Sequence, residues 1–179
     1  MLKLIFTGVG GQGIITAGVV LAEAAVVAEG RYATQSQSYG AEARGGLTRT
    51  DVILSDSEVL YPKIEQTHVL AALHQRGYNA HAATLRPGGV LVYDEDQVHP
   101  GPKADARCVP LPLLQAGRGA NIALLGVLCE LIGAVSCDSI RSVLDERYGA
   151  GSPNHEAFDL GIAMVRSGHF GPMPFGRSA

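Results

Sequence analysis

Gly8, Gly10, Gly11, Gln12 and Gly13 are the residues of this chain whose types and spacing most directly suggest chemistry. They lie in Gly8-Val9-Gly10-Gly11-Gln12-Gly13, where the glycines at 8, 10 and 13 match G-x-G-x-x-G. That pattern turns a strand into a helix over the pyrophosphate of a dinucleotide. Glycine suits it because it has no Cβ and reaches positive φ, so the backbone approaches a ligand or a packed helix closely. The first amides of the following helix then point at an anion. A second reading needs no ligand: the glycines make a tight turn that lets the helix pack on the sheet.

A dinucleotide site also needs an Asp or Glu about 20 residues further on, at the end of the second strand, to hold the ribose. The residues there are Ala33-Thr34-Gln35-Ser36-Gln37, with neither an acid nor an arginine for a 2′-phosphate. NAD is therefore not supported. Cys108, Cys129 and Cys137 form no C-x-x-C pair, so the chain is expected to hold no iron–sulfur cluster of its own, and Cys129 reads as a core residue. The six histidines show no metal-ligand spacing; His74 and His81 are seven apart with Gly77 between them. G-x-S-x-G is missing, and Asp94-Glu95-Asp96 reads as a solvated strand terminus. No catalytic residue, metal site or self-contained active site emerges.

The elements that must position the glycine turn are legible on either side of it. Leu2–Phe6 predicts a short buried strand. Gly13–Ala28 predicts a helix that Gly30 stops, with Ile15, Val19, Ala22, Ala25 and Val26 toward the sheet. Arg31–Gln37 predicts a second strand parallel to the first. Leu47–Ser55 alternates as a strand, with Asp56-Ser57 a turn and Glu58–Tyr61 a returning strand. His68–Leu73 and Val90–Tyr93 predict core strands, Gln75–Leu85 a weak helix, Pro87-Gly88-Gly89 a turn and Arg107–Val109 a strand.

The final third predicts three helices: Asn121–Ile132 before Gly133, Asp138–Tyr148 before Gly149, and one opened by Ser152-Pro153 that runs to Ser167. The expectation is one α/β domain over residues 1–179, a three-layer Rossmann-like parallel or mixed sheet with a β-hairpin insertion and a helical C-terminal third. Residues 171–179 are expected to be a flexible tail.

Between the second and third predicted strands lies Ser38-Tyr39-Gly40-Ala41-Glu42-Ala43-Arg44-Gly45-Gly46. Tyr39 and Arg44 are of the types that anchor interfaces, and Glu42 can pair with Arg44. The bland reading is an exposed connector. The loop is expected on the same sheet edge as the glycine turn, where α/β folds bind ligands and partners.

Composition narrows the partners. Charged residues are 17% against 46% hydrophobic, which suggests that a partner covers some of the surface. A net charge of −3 with no basic run argues against nucleic acid. Apolar runs are too short to span a membrane, no secretory leader is evident, and sparse cysteines read as reduced thiols, so a cytoplasmic location is expected.

The glycine turn, the Ser38–Gly46 loop, Val52-Ile53-Leu54-Ser55-Asp56, Pro87-Gly88-Gly89-Val90 and Asn121 together resemble the gamma subunit of 2-oxoacid:ferredoxin oxidoreductases, over nearly the whole chain. The S-Y-G-x-E-x-R-G-G form is most similar to the 2-oxoglutarate or general 2-oxoacid branch, with Ala41 in place of a common proline. The resemblance implies a complex with alpha and beta subunits, a ferredoxin-like delta subunit as an optional further one, and ferredoxin as acceptor. In such complexes thiamine diphosphate, held by alpha and beta with magnesium, attacks the 2-oxoacid carbonyl and drives decarboxylation. Electrons leave singly through iron–sulfur clusters, and coenzyme A takes the acyl group.

No cofactor is expected on this chain alone. Gly8, Gly10, Gly11, Gln12 and Gly13 would face a ligand or coenzyme A, with Gln12 projecting from the turn. Ser38, Tyr39, Gly40, Glu42, Arg44, Gly45 and Gly46 would face a partner or coenzyme A. The alternatives are a free-standing nucleotide-binding Rossmann oxidoreductase and the beta subunit of an indolepyruvate ferredoxin oxidoreductase.

Overall fold

Alternation of large apolar residues builds a six-stranded sheet with a buried layer on each face. The computed structural model describes residues 1–39, 45–101, 106–168, 170 and 173, and of Tyr39 only the backbone. The strands are β1 (Leu2–Val9), β2 (Tyr32–Tyr39), β3 (Leu47–Ser55), β4 (Thr67–Ala72), β5 (Leu85–Asp94) and β6 (Arg107–Leu111). Their spatial order is β2-β3-β1-β4-β5-β6. Strands β1, β4, β5 and β6 are parallel, whereas β3 runs antiparallel to both β1 and β2.

Leu4, Phe6, Val52, Leu54, Val69, Ala71, Val90 and Val92 fill one face. The helices α1 (Ile14–Glu23), α3 (Ala120–Ile132), α4 (Cys137–Tyr148) and α5 (Pro153–Ser167) cover it. Ile5, Ile53, Leu70, Ala72 and Leu91 fill the other, under α2 (Gln75–His81) with Tyr78, Ile64 and Val98. Central strands are buried on both faces, which is why Leu4-Ile5-Phe6 of β1 and Val69-Leu70-Ala71-Ala72 of β4 read as apolar runs. Phe6 and Ile5 are completely shielded, and each contributes roughly 2–3 kcal/mol of hydrophobic stabilisation.

The mixed α/β sheet and the helical last third agree with the sequence reading, whereas the hairpin expected from Leu47–Ser55 and Glu58–Tyr61 does not form, and the differences have physical causes. The second strand does run in the direction of the first, but β3 sits between them. The hairpin is therefore β2–β3. Residues 58–61 form no strand, and Leu60 and Tyr61 are exposed there.

Helix α1 turns a largely different face to the sheet: Ile14, Ala17, Gly18 and Leu21 are buried, and of the residues expected there Ala25 is buried in the turn that follows whereas Val26 is exposed. Its sequence is apolar almost all round, so periodicity does not select a face. Close approach does, because a Cβ on Gly18 would strike Thr50 of β3. A π-helical turn, residues Ala24–Ala28, ends the helix before Gly30. Pro87-Gly88-Gly89 lies within β5 as a bulge against β4, with Gly88 at φ 71°.

Helices α3 and α5 touch backbone to backbone. A Cβ on Gly126 would meet the Phe158 carbonyl, and one on Gly161 the Ala123 carbonyl. Ser136 caps α4 by accepting the Ser139 N–H at 3.1 Å. Ser152 occupies the cap position of α5, but its hydroxyl makes no bond to the helix. The proposed tail lies outside the described residues except for Met173, which packs on the helical face of the core.

At the amino-terminal end of the sheet, the Lys3 N–H donates to His68 Nδ1 at 2.9 Å. Burial chiefly, then the charges of Arg86, Lys3 and the N-terminal amine, lower the His68 pKa from 6.5 to about 4. Because the folded value is below the unfolded one, the stability held by neutral His68 is complete above 6.5. It is lost as pH falls from there toward 4. Unfolding free energy measured by denaturant titration should therefore fall between about pH 7 and about pH 5, and His68→Gln should flatten that decline. An unchanged slope in the variant would assign the acid sensitivity elsewhere.

Candidate functional site

The carboxyl ends of β1, β4 and β5 and the start of β3 meet at one edge, where the glycine turn bonds inward to the protein. The Val9 N–H donates to Gln12 Oε1 at 2.8 Å, and Gln12 Nε2 donates to the Leu73 carbonyl at 3.0 Å. The Leu73 N–H donates to the Thr7 carbonyl at 3.0 Å. The expectation that Gln12 projects outward is thus corrected: its amide clamps the end of β1 to the residue after β4. Glycines 8 and 13 have packing reasons of their own, since a Cβ at Gly8 would strike the Gln12 side chain and one at Gly13 would strike Asn121. Gly10 and Gly11 are the exposed members of the turn, and Gly11, at φ 96°, has open space around it.

The second predicted segment meets the first here. The Gly10 N–H donates to the Gly46 carbonyl at 2.9 Å. Arg76, in the first turn of α2, donates from Nη1 to the Gly45 carbonyl at 3.0 Å. Ser38 and Tyr39 close β2 opposite Arg49 and Thr48. Gly40, Glu42 and Arg44 lie outside the described residues. The structure therefore joins Gly8, Gly10, Gly11, Gln12 and Gly13 to Gly45 and Gly46 along one edge.

Three residues have roles here that the sequence reading did not assign to them. Asn121 Nδ2 donates to the Gly13 carbonyl at 3.2 Å, so α3 begins on the turn. His74 caps α2 by accepting the Arg76 N–H on Nδ1 at 3.1 Å. Asp94, expected to be solvated, is fully buried. Its Oδ1 accepts the Asp96 and Gln97 amides at 3.2 and 3.0 Å, and its Oδ2 accepts the Leu114 amide at 2.7 Å. It is a structural pin between β5 and the 3-10 turn, residues Leu113–Gly119, that leads into α3. An acid closing an apolar strand was the one available signal, and burial needs the fold to be seen.

Behind the edge, Arg49 grips Asp51 through two bonds, 2.5 Å from Nε and 2.7 Å from Nη2. Arg49 also stands 3.4 Å from His81 Nδ1. Burial first, then the Arg49 charge, lowers the His81 pKa, which leaves its ring neutral and able to accept from the guanidinium.

Cys129 lies in the core as expected, and Cys108 is exposed. A hydrogen bond from the Cys129 side chain brings the Cys137 thiol from 9.0 to about 7, while Cys129 itself is raised. Among the described residues no group of three His, Cys, Asp or Glu side chains could hold a metal ion. The edge offers a shaped backbone surface, and its described residues form no nucleophile–base pair.

The pyruvate ferredoxin/flavodoxin oxidoreductase family matches residues 3–164. The chain is 35% identical to the 2-oxoglutarate synthase subunit KorC of Methanocaldococcus jannaschii, over 89% of this chain and 91% of that one. Its fold is similar to the keto/oxoacid ferredoxin oxidoreductase gamma subunit of Geobacter sulfurreducens, with a TM-score of 0.80 and 34% identity over 94% of this chain and 100% of that one. It is also similar to a 2-oxoglutarate:ferredoxin oxidoreductase from Magnetococcus marinus solved with 2-oxoglutarate, coenzyme A and succinyl-CoA bound. There the TM-score is 0.87 and the identity 26%, over 99% of this chain and 33% of that longer one.

Removing the Gln12 amide leaves the Val9 N–H and the Leu73 carbonyl without partners, at a cost of about 1–3 kcal/mol. Gln12→Ala should lower the unfolding free energy by that amount in denaturant titration. A variant of wild-type stability would return Gln12 to the role of a ligand-facing side chain.

Proposed function

Since this chain belongs to the pyruvate ferredoxin/flavodoxin oxidoreductase family, we propose that it is the gamma subunit of a 2-oxoacid:ferredoxin oxidoreductase whose substrate is 2-oxoglutarate. The observation that carries the reading is the near full-length likeness to 2-oxoglutarate synthase subunit KorC and to a solved gamma subunit. The site supports it: the glycine turn is a structural clamp and the edge lacks a catalytic set among the described residues. A complex of this kind supplies its chemistry from other chains, with alpha and beta subunits, an optional ferredoxin-like delta subunit and ferredoxin as partners in the cytoplasm.

The groups expected in the complex fit this chain unequally. Iron–sulfur clusters do not fit its cysteines, because Cys129 and Cys137 meet without a third ligand beside them among the described residues, which also offer no ligand set for magnesium. Coenzyme A fits better. Gly11 presents open backbone at the carboxyl edge, and Gly46 meets the turn there through the Gly10 N–H. When bound, coenzyme A accepts the acyl group. This chain would shape one wall of its site through the glycine turn and the loop.

A free-standing nucleotide-binding oxidoreductase is disfavoured by the strand order. On the side toward β2 the end of β1 is bordered by the beginning of antiparallel β3, so the strand that follows the first helix does not bring an acid beside the turn to hold a ribose.

The test is reconstitution. The chain alone should not reduce a ferredoxin or a viologen with 2-oxoglutarate and coenzyme A, and co-expression with its partner subunits should yield that activity. Calorimetry of the lone chain with NAD, NADP and FAD should show no tight binding. Activity or dinucleotide binding by the lone chain would overturn the reading. Within the complex, Arg44→Ala should weaken assembly or coenzyme A use by about 2 kcal/mol, roughly 30-fold, as loss of an interface anchor does.

A further inference from the structure

The two outer strands of the sheet are built in opposite ways. Strand β6 is a short edge, Arg107–Leu111, with a charge at its start and Pro110 removing one N–H. Short length, charge and proline are the usual protections against strand addition. Strand β2, outermost on the other side, has eight residues, Tyr32-Ala33-Thr34-Gln35-Ser36-Gln37-Ser38-Tyr39, with no charge and no proline. It pairs with β3 through eight successive partners and no bulge, so its outer row of main-chain groups is long and regular. Ser36, Gln37 and Ser38 are exposed, and Tyr32 is 51% exposed. The π-helical turn packed beside β2 adds exposed Val26 and Val27, the latter at 69%.

We propose that the β2 edge is a two-fold interface with a second copy of this chain, in which two β2 strands pair antiparallel to join both sheets. Such an interface presents the same patch from both copies, so the patch must suit itself. A two-fold axis perpendicular to a sheet keeps each face on its own side, and only residues of one face meet across it. Thr34, Ser36 and Ser38 lie on the face of Ile53, under α2, whereas Gln35 and Gln37 lie on the face of Val52, under α1.

Between residues 34 and 38, every antiparallel register therefore sets hydroxyls against hydroxyls and amides against amides. With Ser36 on the axis, Thr34 meets Ser38 and Gln35 meets Gln37. Cross-strand pairs of this kind are favourable, and like charges would be unfavourable. β2 carries none. Main-chain bonds would supply the affinity, as in other strand additions. This surface lies along the side of the sheet, and the inference stands independently of the functional assignment.

The test is the mass of the purified full chain by sedimentation equilibrium. The wild-type chain should run at about 37 kDa, twice its 18.7 kDa. Ser36→Lys and Ser36→Glu should each run as monomers, because like charges meet near the axis, and an equimolar mixture of the two should regain the dimer mass. A wild-type monomer at high micromolar concentration overturns the proposal, as does a dimer that persists in both variants or a mixture that stays monomeric. Hydrogen exchange on the wild-type chain reads the same contact without a substitution. Amides 32–39 should exchange more slowly in the concentrated sample than in the dilute one, and equal rates would overturn the proposal. A complex in which β2 pairs only with another subunit's strand would also overturn it.

Discussion

The pairing of β1 with β3 is the constraint on which the rest of the structure depends. Eight consecutive residues, Leu2 to Val9, face Leu54 to Leu47 in antiparallel register. A slip of one residue would turn Phe6 and Leu4 away from the helices and bring Ile5 to them, exchanging the two buried layers. The register also delivers Leu47 opposite Val9, and so brings Gly46 to the amide of Gly10. The meeting of the turn with the segment that precedes β3 is thus a consequence of core packing, with no ligand required to hold it.

That pairing also explains why a dinucleotide fingerprint here lacks its second half. In a fold that holds a ribose, the strand after the first helix lies beside β1 and ends at the same edge. Here β2 is displaced to the outside, and on that side the neighbour at the end of β1 is an antiparallel strand beginning. An acid at the end of β2 would be a strand's width too far from the turn. The glycines persist for packing: Gly8 makes room for Gln12, and Gly13 for Asn121. Membership of the pyruvate ferredoxin/flavodoxin oxidoreductase family fits a turn kept as architecture.

Buried polar groups do the remaining positioning. Gln12 serves one donor and one acceptor at the ends of two strands, and Asp94 serves three amides at the end of a third. Asn121 brings a helix start onto the turn. Each is satisfied within the protein, so these three side chains are positioned by the fold itself.

Much of this was legible in the sequence because it rests on local rules. Leu47–Ser55 has a strand's alternation, Gly133 and Gly149 end their helices, Cys129 sits in an apolar helix, and the glycine turn follows a strand and opens a helix. What the sequence did not contain was strand order: the residues of β2 and β3 are equally compatible with a parallel neighbour of β1 and with a hairpin, because the choice rests on long-range pairing. The same holds for the buried face of α1, apolar all round until Gly18 meets Thr50. It holds for Asp94 and Gln12 as well, polar residues whose partners lie elsewhere in the chain. Residue type and spacing thus determined the elements and the family likeness. Packing of strands distant in sequence decided which of their ends meet, and therefore where a functional edge could exist.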